Sequence, residues 1–335
     1  MVGSNVRNVV ESARKAGYEV YAYTKHVDAD LILYASEVFR ATENLKEDEK
    51  RVRELSEELG AKVVLSSGFE LLDVENFGSR IKVEVVDKLK FYKELEKIGV
   101  NYPSLLSEGE FGILKPRVGG GGEGIKLGDS GEDGYVHQEL VEGIPCSISA
   151  LRSERGFAVA GVNLMLVGDE NFFASRFKYC GNVTPFKHEK VGEMVKVAEE
   201  LGEHFDLIGS YGVDFILGDE VYVLEVNPRF QGSLDSIELS SDVSVFELHV
   251  KAVRGERVEN VKPKRVAARA ILFSPRRIEI AVSPVGNPFY GDVPVRGEVY
   301  EKESPLVSVF AVGKDYYEKL LSRRDLYFEM QGVKV

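Results

Sequence analysis

The sequence predicts an α/β domain followed by an α+β body, and two patterns predict it. Residues 1 to about 80 alternate helix-period and strand-period segments, as a small parallel sheet with crossover helices requires. Beyond that region the chain becomes glycine-dense and strand-rich, in antiparallel hairpins with one or two helices. The 335 residues leave room for two or three domains, and the expected boundaries are 1–82, 83–262 and 263–335, the last a small β-rich module.

In order along the chain, Val6, Val9, Val10 and Ala13 share one helical face, Gly17 stops that helix, and the apolar strand YEVYAYT comes next. Met1-Val2-Gly3 leaves almost no room for a strand ahead of the helix, which implies a shortened first strand or a start further upstream. A second helix is expected from Leu45 to Leu59, closed by Gly60 and leading into a strand AKVVLSS. IKVEVV reads as another strand, and DKLKFYKELEKIGVNYP as a helix closed by Gly99 and Pro103. The α+β body then runs from FGILKPRVGGGGEGIKL to YGVDFILGDEVYVLEVNPRF. It closes with a helix VFELHVKAVRGE and a connector NVKPKR. The remainder is mostly strand, with one late helix KDYYEKLLSRR.

Composition excludes several classes. A formal charge of -12 and no dense Lys/Arg run argue against a nucleic-acid partner. Cys146 and Cys180 are the only cysteines, so neither a disulfide framework nor a four-cysteine metal site is available. No apolar stretch approaches the roughly 18 residues of a membrane span, and no signal-peptide pattern opens the chain, so the cytoplasm is the expected location.

Three constellations carry chemistry. In LEVNPRF, alternation puts Glu225, Asn227 and Arg229 on one face of a strand, and a Gly218-Asp219 turn folds the strand of Asp214 back beside it. Three hard oxygen donors would suit one or two Mg²⁺ ions that share their shell with substrate phosphates; a solvent-facing hairpin is the competing reading. Lys115 precedes Gly119, Gly120, Gly121, Gly122, Glu123 and Gly124, and a lysine beside an anion nest of free backbone N–H groups suits phosphate. The same run also reads as a flexible hairpin tip. Tyr135 to Gly143, YVHQELVEG, can present backbone groups to a base and carboxylates to a ribose, or be a plain edge strand. His137 and Cys180 read as structural rather than catalytic, since no ligand or triad spacing surrounds them.

The order of Lys88, Lys115 with its glycine-rich loop, the Glu-bearing linker strand, and Asp214 with Glu225-x-Asn227-x-Arg229 resembles the ATP-grasp superfamily over residues 80 to 260. Within it the chain is similar to archaeal carboxylate-amine ligases, on Glu142-Gly143-Ile144-Pro145, Phe177 to Asn182 and Glu225 to Gly232. The resemblance implies an ATP-grasp fold with a Rossmann-like N-terminal domain. It assigns Lys88 and Lys115 to ATP phosphates, Gly119 to Gly124 to a mobile lid, and Glu139, Leu140 and Val141 to adenine. Asp214, Glu225 and Asn227 would hold Mg²⁺ or Mn²⁺, with two ions expected, and Arg229 with Lys115 would act on the reacting groups. A ribose-binding glutamate of many members is replaced here by Pro145, so the resemblance leaves the ribose contact either to Glu142 or lost.

The activity that the resemblance implies is that of an ADP-forming ligase for a small-molecule carboxylate and an amine, with Arg176, Tyr179 and Asn182 as candidates for the acceptor pocket. A homodimer is compatible with this reading. A purine-biosynthetic or biotin-carboxylase-like enzyme and a non-catalytic nucleotide-binding regulator are the alternatives.

Overall fold

The computed structural model describes residues 1–334. The N-terminal segment folds as β1 (Val2–Gly3), α1 (Arg7–Lys15), β2 (Tyr21–Thr24), β3 (Glu37–Arg40) and α2 (Leu45–Leu59). The strands form a parallel sheet in the order β1-β2-β3. Of the six residues ahead of α1, two are used as a strand: Val2 and Gly3 pair with Tyr23 and Thr24, and the Met1 ammonium donates to the Tyr21 carbonyl. Val9, Val10 and Ala13 bury the inner face of α1, and Gly60, at φ 58°, closes α2 in the left-handed region.

Two expected strands are absent. AKVVLSS makes only isolated bridges, Val2 to Leu65 and Val63 to Asn76, because β1 offers it two residues of edge. IKVEVV does not pair at all. Val83–Val86 form a single helical turn, α3, that packs Val85 against the core beside Val226, so tertiary burial overrides the β-branched pattern. Asp87 then caps α4 (Lys88–Ile98) by accepting from the Leu89 and Lys90 N–H groups.

A small antiparallel sheet comes next, from β4 (Gly112–Pro116), β5 (Lys126–Gly128) and β6 (Tyr135–Gln138) in the order β5-β4-β6. The large body contains β7 (Ile144–Ser153), β8 (Gly156–Val167), β9 (Tyr179–Thr184), α5 (Val191–His204), β10 (Gly209–Leu217), β11 (Val221–Asn227), α6 (Leu234–Ser241) and α7 (Val245–Val253). It continues through β12 (Ala267–Phe273), β13 (Ile278–Glu279), β14 (Tyr290–Gly291), β15 (Val299–Tyr300), β16 (Pro305–Val312) and α8 (Tyr316–Met330).

One antiparallel sheet runs β11-β10-β7-β8-β9-β12-β16-β14, so it crosses the expected boundary at residue 262 through the β9–β12 pair. Helices α4 and α5 bury Phe91, Leu95, Met194 and Leu201 under one half of it, and α8 buries Leu320, Tyr327 and Phe328 under the other. Each such side chain contributes about 1.5–3 kcal/mol. Between the small sheet and the β7-β10-β11 end of the large one lies a cleft. No helix among the described residues is long and apolar enough to cross a membrane.

Candidate active site

The β10–β11 hairpin sets the floor of that cleft. Its register pairs Asp214 directly with Glu225 and Gly212 with Asn227, so the two carboxylates share the cleft face, and a bulge follows Asp214. Asn227 Nδ2 lies 3.2 Å from Asp214 Oδ2 and 3.3 Å from Glu225 Oε1, so a neutral amide bridges the two facing acids. Burial and the facing Glu225 push the Asp214 carboxyl well above the usual carboxylate range. Burial opposes the charge on Glu225 too, but Lys88 and Arg229 outweigh it and hold that carboxyl below its ordinary value.

Two buried carboxylates and an amide oxygen form a hard donor set that a divalent cation would satisfy, so the residues fit the metal that the sequence implies. Among the described residues no group of three or more acidic, histidine or cysteine side chains is placed to hold a metal alone. A cation here would complete its shell from phosphate and water, as Mg²⁺ does.

Cations frame the floor. Lys88 opens α4, and its Nζ lies 3.3 Å from Glu225 Oε2 and donates to the Gly119 carbonyl at 2.6 Å. Lys115 and Ile113, alternate residues of β4, both face the cavity. Lys115 is buried and makes no side-chain hydrogen bond or ion pair among the described residues. Burial, reinforced by Lys88 and opposed by Glu225, lowers its pKa to about 8. Arg229 donates from Nε to Glu70 Oε1 at 2.6 Å and from Nη2 to Asn227 Oδ1 at 2.9 Å, which fixes its guanidinium over the floor.

The glycine loop between β4 and β5 is folded down. The Tyr179 N–H donates to the Gly121 carbonyl at 3.1 Å, and Glu123 pairs with Lys178. Gly122, at φ 79°, sits so close to the Phe177 carbonyl that a Cβ has no room there.

The walls enclose a cavity of about 430 Å³ that Lys88, Lys115, Gly119 to Gly122, Asp214, Glu225, Asn227 and Arg229 all line. Glu139, Leu140 and Val141 line it as well, with the Glu139 carboxylate held by the Ser104 N–H at 2.9 Å. Glu142 is exposed and lies outside the lining, while Pro145 is part of it. Tyr179 and Asn182 reach the cavity, hydrogen-bonded to each other at 3.1 Å; Arg176 does not, and lies exposed over the Phe177 ring. His137 and Cys180 are buried away from the cavity.

Sequence reasoning missed Glu70, the partner of Arg229, and a wall built from Asn5, Asn8, Ser67, Gln231, Ser233 and Arg269. One signal was present: Arg269 is a lone charge in the apolar run AARAILF, and such a charge is buried only with partners. The neutral residues carry no signal, because serine and asparagine in loops are commonplace.

Residues 85–233 match the family model of the ATP-grasp domain. An uncharacterized protein from Methanocaldococcus jannaschii is 28% identical, over 93% of this chain and 87% of its own length. A tyramine–L-glutamate ligase from Methanocaldococcus fervens is 26% identical over 38% of this chain, and the match spans 40% of that enzyme. Among solved structures, the biotin carboxylase domain of Hydrogenobacter thermophilus 2-oxoglutarate carboxylase, in complex with MgADP, ADP and bicarbonate, superposes with a TM-score of 0.73. That superposition covers 98% of this chain and 89% of that one at 15% identity.

Proposed function

Because residues 85–233 form an ATP-grasp domain, we propose that the protein is an ADP-forming ligase that activates a small-molecule carboxylate with ATP and joins it to an amine. The observation that carries this reading is the convergence of Asp214, Glu225, Asn227, Lys88, Lys115 and Arg229 on one cavity. Leu140 and Val141 take the adenine, and Lys88, Lys115 and the Gly119–Gly122 backbone take the phosphates. Asp214, Glu225 and Asn227 hold one or two Mg²⁺ or Mn²⁺ ions, which supply neutralisation of charge on the phosphate oxygens.

Arg229, steadied by Glu70, holds the acid with one oxygen toward the γ-phosphorus. That oxygen bonds to phosphorus as the bond to the β–γ bridging oxygen breaks, and ADP leaves with the electron pair. The amine nitrogen then bonds to the acyl carbon, the carbon–oxygen bond to phosphate breaks, and the nitrogen's proton passes to the departing phosphate or to water. No protein nucleophile takes part. Burial holds the Cys146 and Cys180 thiols up at about 12 and about 11, outside any thiolate chemistry. The glycine loop, folded onto Phe177 and Tyr179, shields the acyl phosphate from water.

Purified protein given Mg²⁺, ATP, hydroxylamine and a panel of acids is expected to release ADP and form a hydroxamate with at least one of them. If ATP binds but no acid stimulates ADP release, the ligase reading is wrong. A second reading, in which bicarbonate is the acid and a nitrogen is carboxylated, is favoured by the 98% coverage of the match to a biotin carboxylase domain. Incorporation of labelled bicarbonate into an added amine separates the two.

A further inference from the structure

The wall beyond Arg229 is backed by a closed ring of charge. Arg269 reaches the cavity from β12, yet each of its nitrogens is engaged: Nε with Ser308 Oγ at 2.9 Å, Nη1 with the Gly232 carbonyl at 2.9 Å, Nη2 with Asp292 Oδ2 at 2.8 Å. Asp292 and Asp235 each bridge Arg269 to the fully buried Arg7. Arg7 donates to the two oxygens of Asp235 at 2.7 and 2.9 Å and to Asp292 Oδ1 at 3.0 Å. Asp235 Oδ2 lies 3.5 Å from Arg269 Nε, so two cations and two anions alternate around the ring. Outside it come more acids: Asp30 stands 3.9 Å from Arg7 Nε, and Asn5 donates to Asp28 at 2.8 Å.

The other polar side chains of this wall, Asn5, Asn8, Ser67, Tyr179, Gln231 and Ser233, are neutral. Of the remaining cations that line the cavity, Lys88 and Lys115 flank the phosphate loop and Arg229 is held by Glu70. A phosphate monoester brings a charge of about −1.5 to −2 at neutral pH and is recognised by free arginine or lysine. This wall offers hydroxyls and amides instead.

We propose that the acid substrate is unphosphorylated, with one carboxylate for Arg229 and otherwise hydroxyl, amide or ammonium groups, and that Asp292 and Asp235 set this preference by neutralising Arg269. The identity of the substrate class rests on the ligase reading; the exclusion of phosphate from the wall does not.

Two measurements separate them. In the first, the protein is saturated with Mg²⁺ and a non-hydrolysable ATP analogue, which fills the nucleotide phosphate sites, and ribose 5-phosphate is titrated calorimetrically. The wild type is expected to show no binding below about 10 mM, and Asn8→Lys, which adds an unpaired cation to the wall, to bind at least about tenfold more tightly. Asp292→Asn, which frees Arg269, is expected to act the same way if it folds; Asn8→Lys keeps the test available if it does not. Micromolar binding to the wild type, or no gain in Asn8→Lys, overturns the proposal.

The second measurement compares hydroxamate formation from matched acids, glycerate with 3-phosphoglycerate and gluconate with 6-phosphogluconate. Preference for any phosphorylated member overturns the proposal, and preference for the free acids supports it. If no acid reacts while the titration behaves as expected, the ligase reading fails and the exclusion of phosphate stands.

Discussion

Two buried charge clusters border the same cavity and use the same residue types, yet they are finished differently. In the ring of Arg7, Asp235, Arg269 and Asp292 every charge has two opposite neighbours, and the strong pairing with Arg7 and Arg269 holds the Asp292 carboxyl well below its usual range despite burial. Around Asp214, Glu225 and Asn227, like charges face each other, Lys115 has no partner among the described residues, and shifts run in both directions. A closed set locks three parts of the chain together: α1, α6 and the strands beyond residue 262. An open set keeps electrostatic free energy that a bound nucleotide and metal can satisfy. On the proposed reading, what distinguishes the functional cluster is the incompleteness of its charge pairing, not the presence of buried charge.

The largest expected effect breaks the closed set. Arg7→Met leaves Asp235 and Asp292 short of a cation and should cost about 3–5 kcal/mol of stability, read as a lowered thermal unfolding midpoint. If its loss is no greater than that of an exposed arginine, the ring is not structural.

The open set should respond in the opposite sense. Asp214→Asn removes the one of the two facing carboxylates that burial and Glu225 disfavour, so the apo-protein should keep or gain stability while Mg-dependent ADP release falls by about 100-fold or more. Parallel loss of folding and turnover would erase the distinction between the clusters.

Lys115 sharpens the comparison through pH. Its value drops from 10.5 to about 8 on folding, so between those values the unfolded chain binds more protons and apo-protein stability should rise with pH. Nucleotide affinity should fall over the same rise, from about pH 8 upward, because the phosphates lose a cation. Lys115→Met should flatten both profiles and weaken ATP binding by about tenfold at about pH 7, a difference of about 1.4 kcal/mol. Isothermal titration and thermal melts across roughly pH 7 to 10 read the two signs.

The smallest effect lies in the loop above the open set. Gly122→Ala meets the Phe177 carbonyl and a φ of 79°, so the loop should lift, with wild-type folding but several-fold faster nucleotide release in stopped flow. Unchanged release rates would mean that the contact with Phe177 does not retain the nucleotide.

Local pattern determined much of this molecule. The bounds and caps of α2 and α4 come from helical spacing and from Gly60 and Gly99, and the β10–β11 hairpin from alternation around Gly218-Asp219. The same alternation put Glu225, Asn227 and Arg229 on one face, since both the pleat and the side-chain period are local properties.

Tertiary structure decided what spacing does not encode. IKVEVV became a turn of helix because Val85 found the core beside Val226, and AKVVLSS was reduced to bridges by the two-residue β1. Glu70 met Arg229 from 159 residues away, and Arg7 joined Asp292 across 285. Glu142 and Arg176, plausible by proximity in sequence, were turned outward, while the neutral wall of Asn8, Gln231 and Ser233 was assembled from separate elements. A charge's worth depends on the partners within a few ångströms once water is excluded, and those partners are fixed only when distant segments pack.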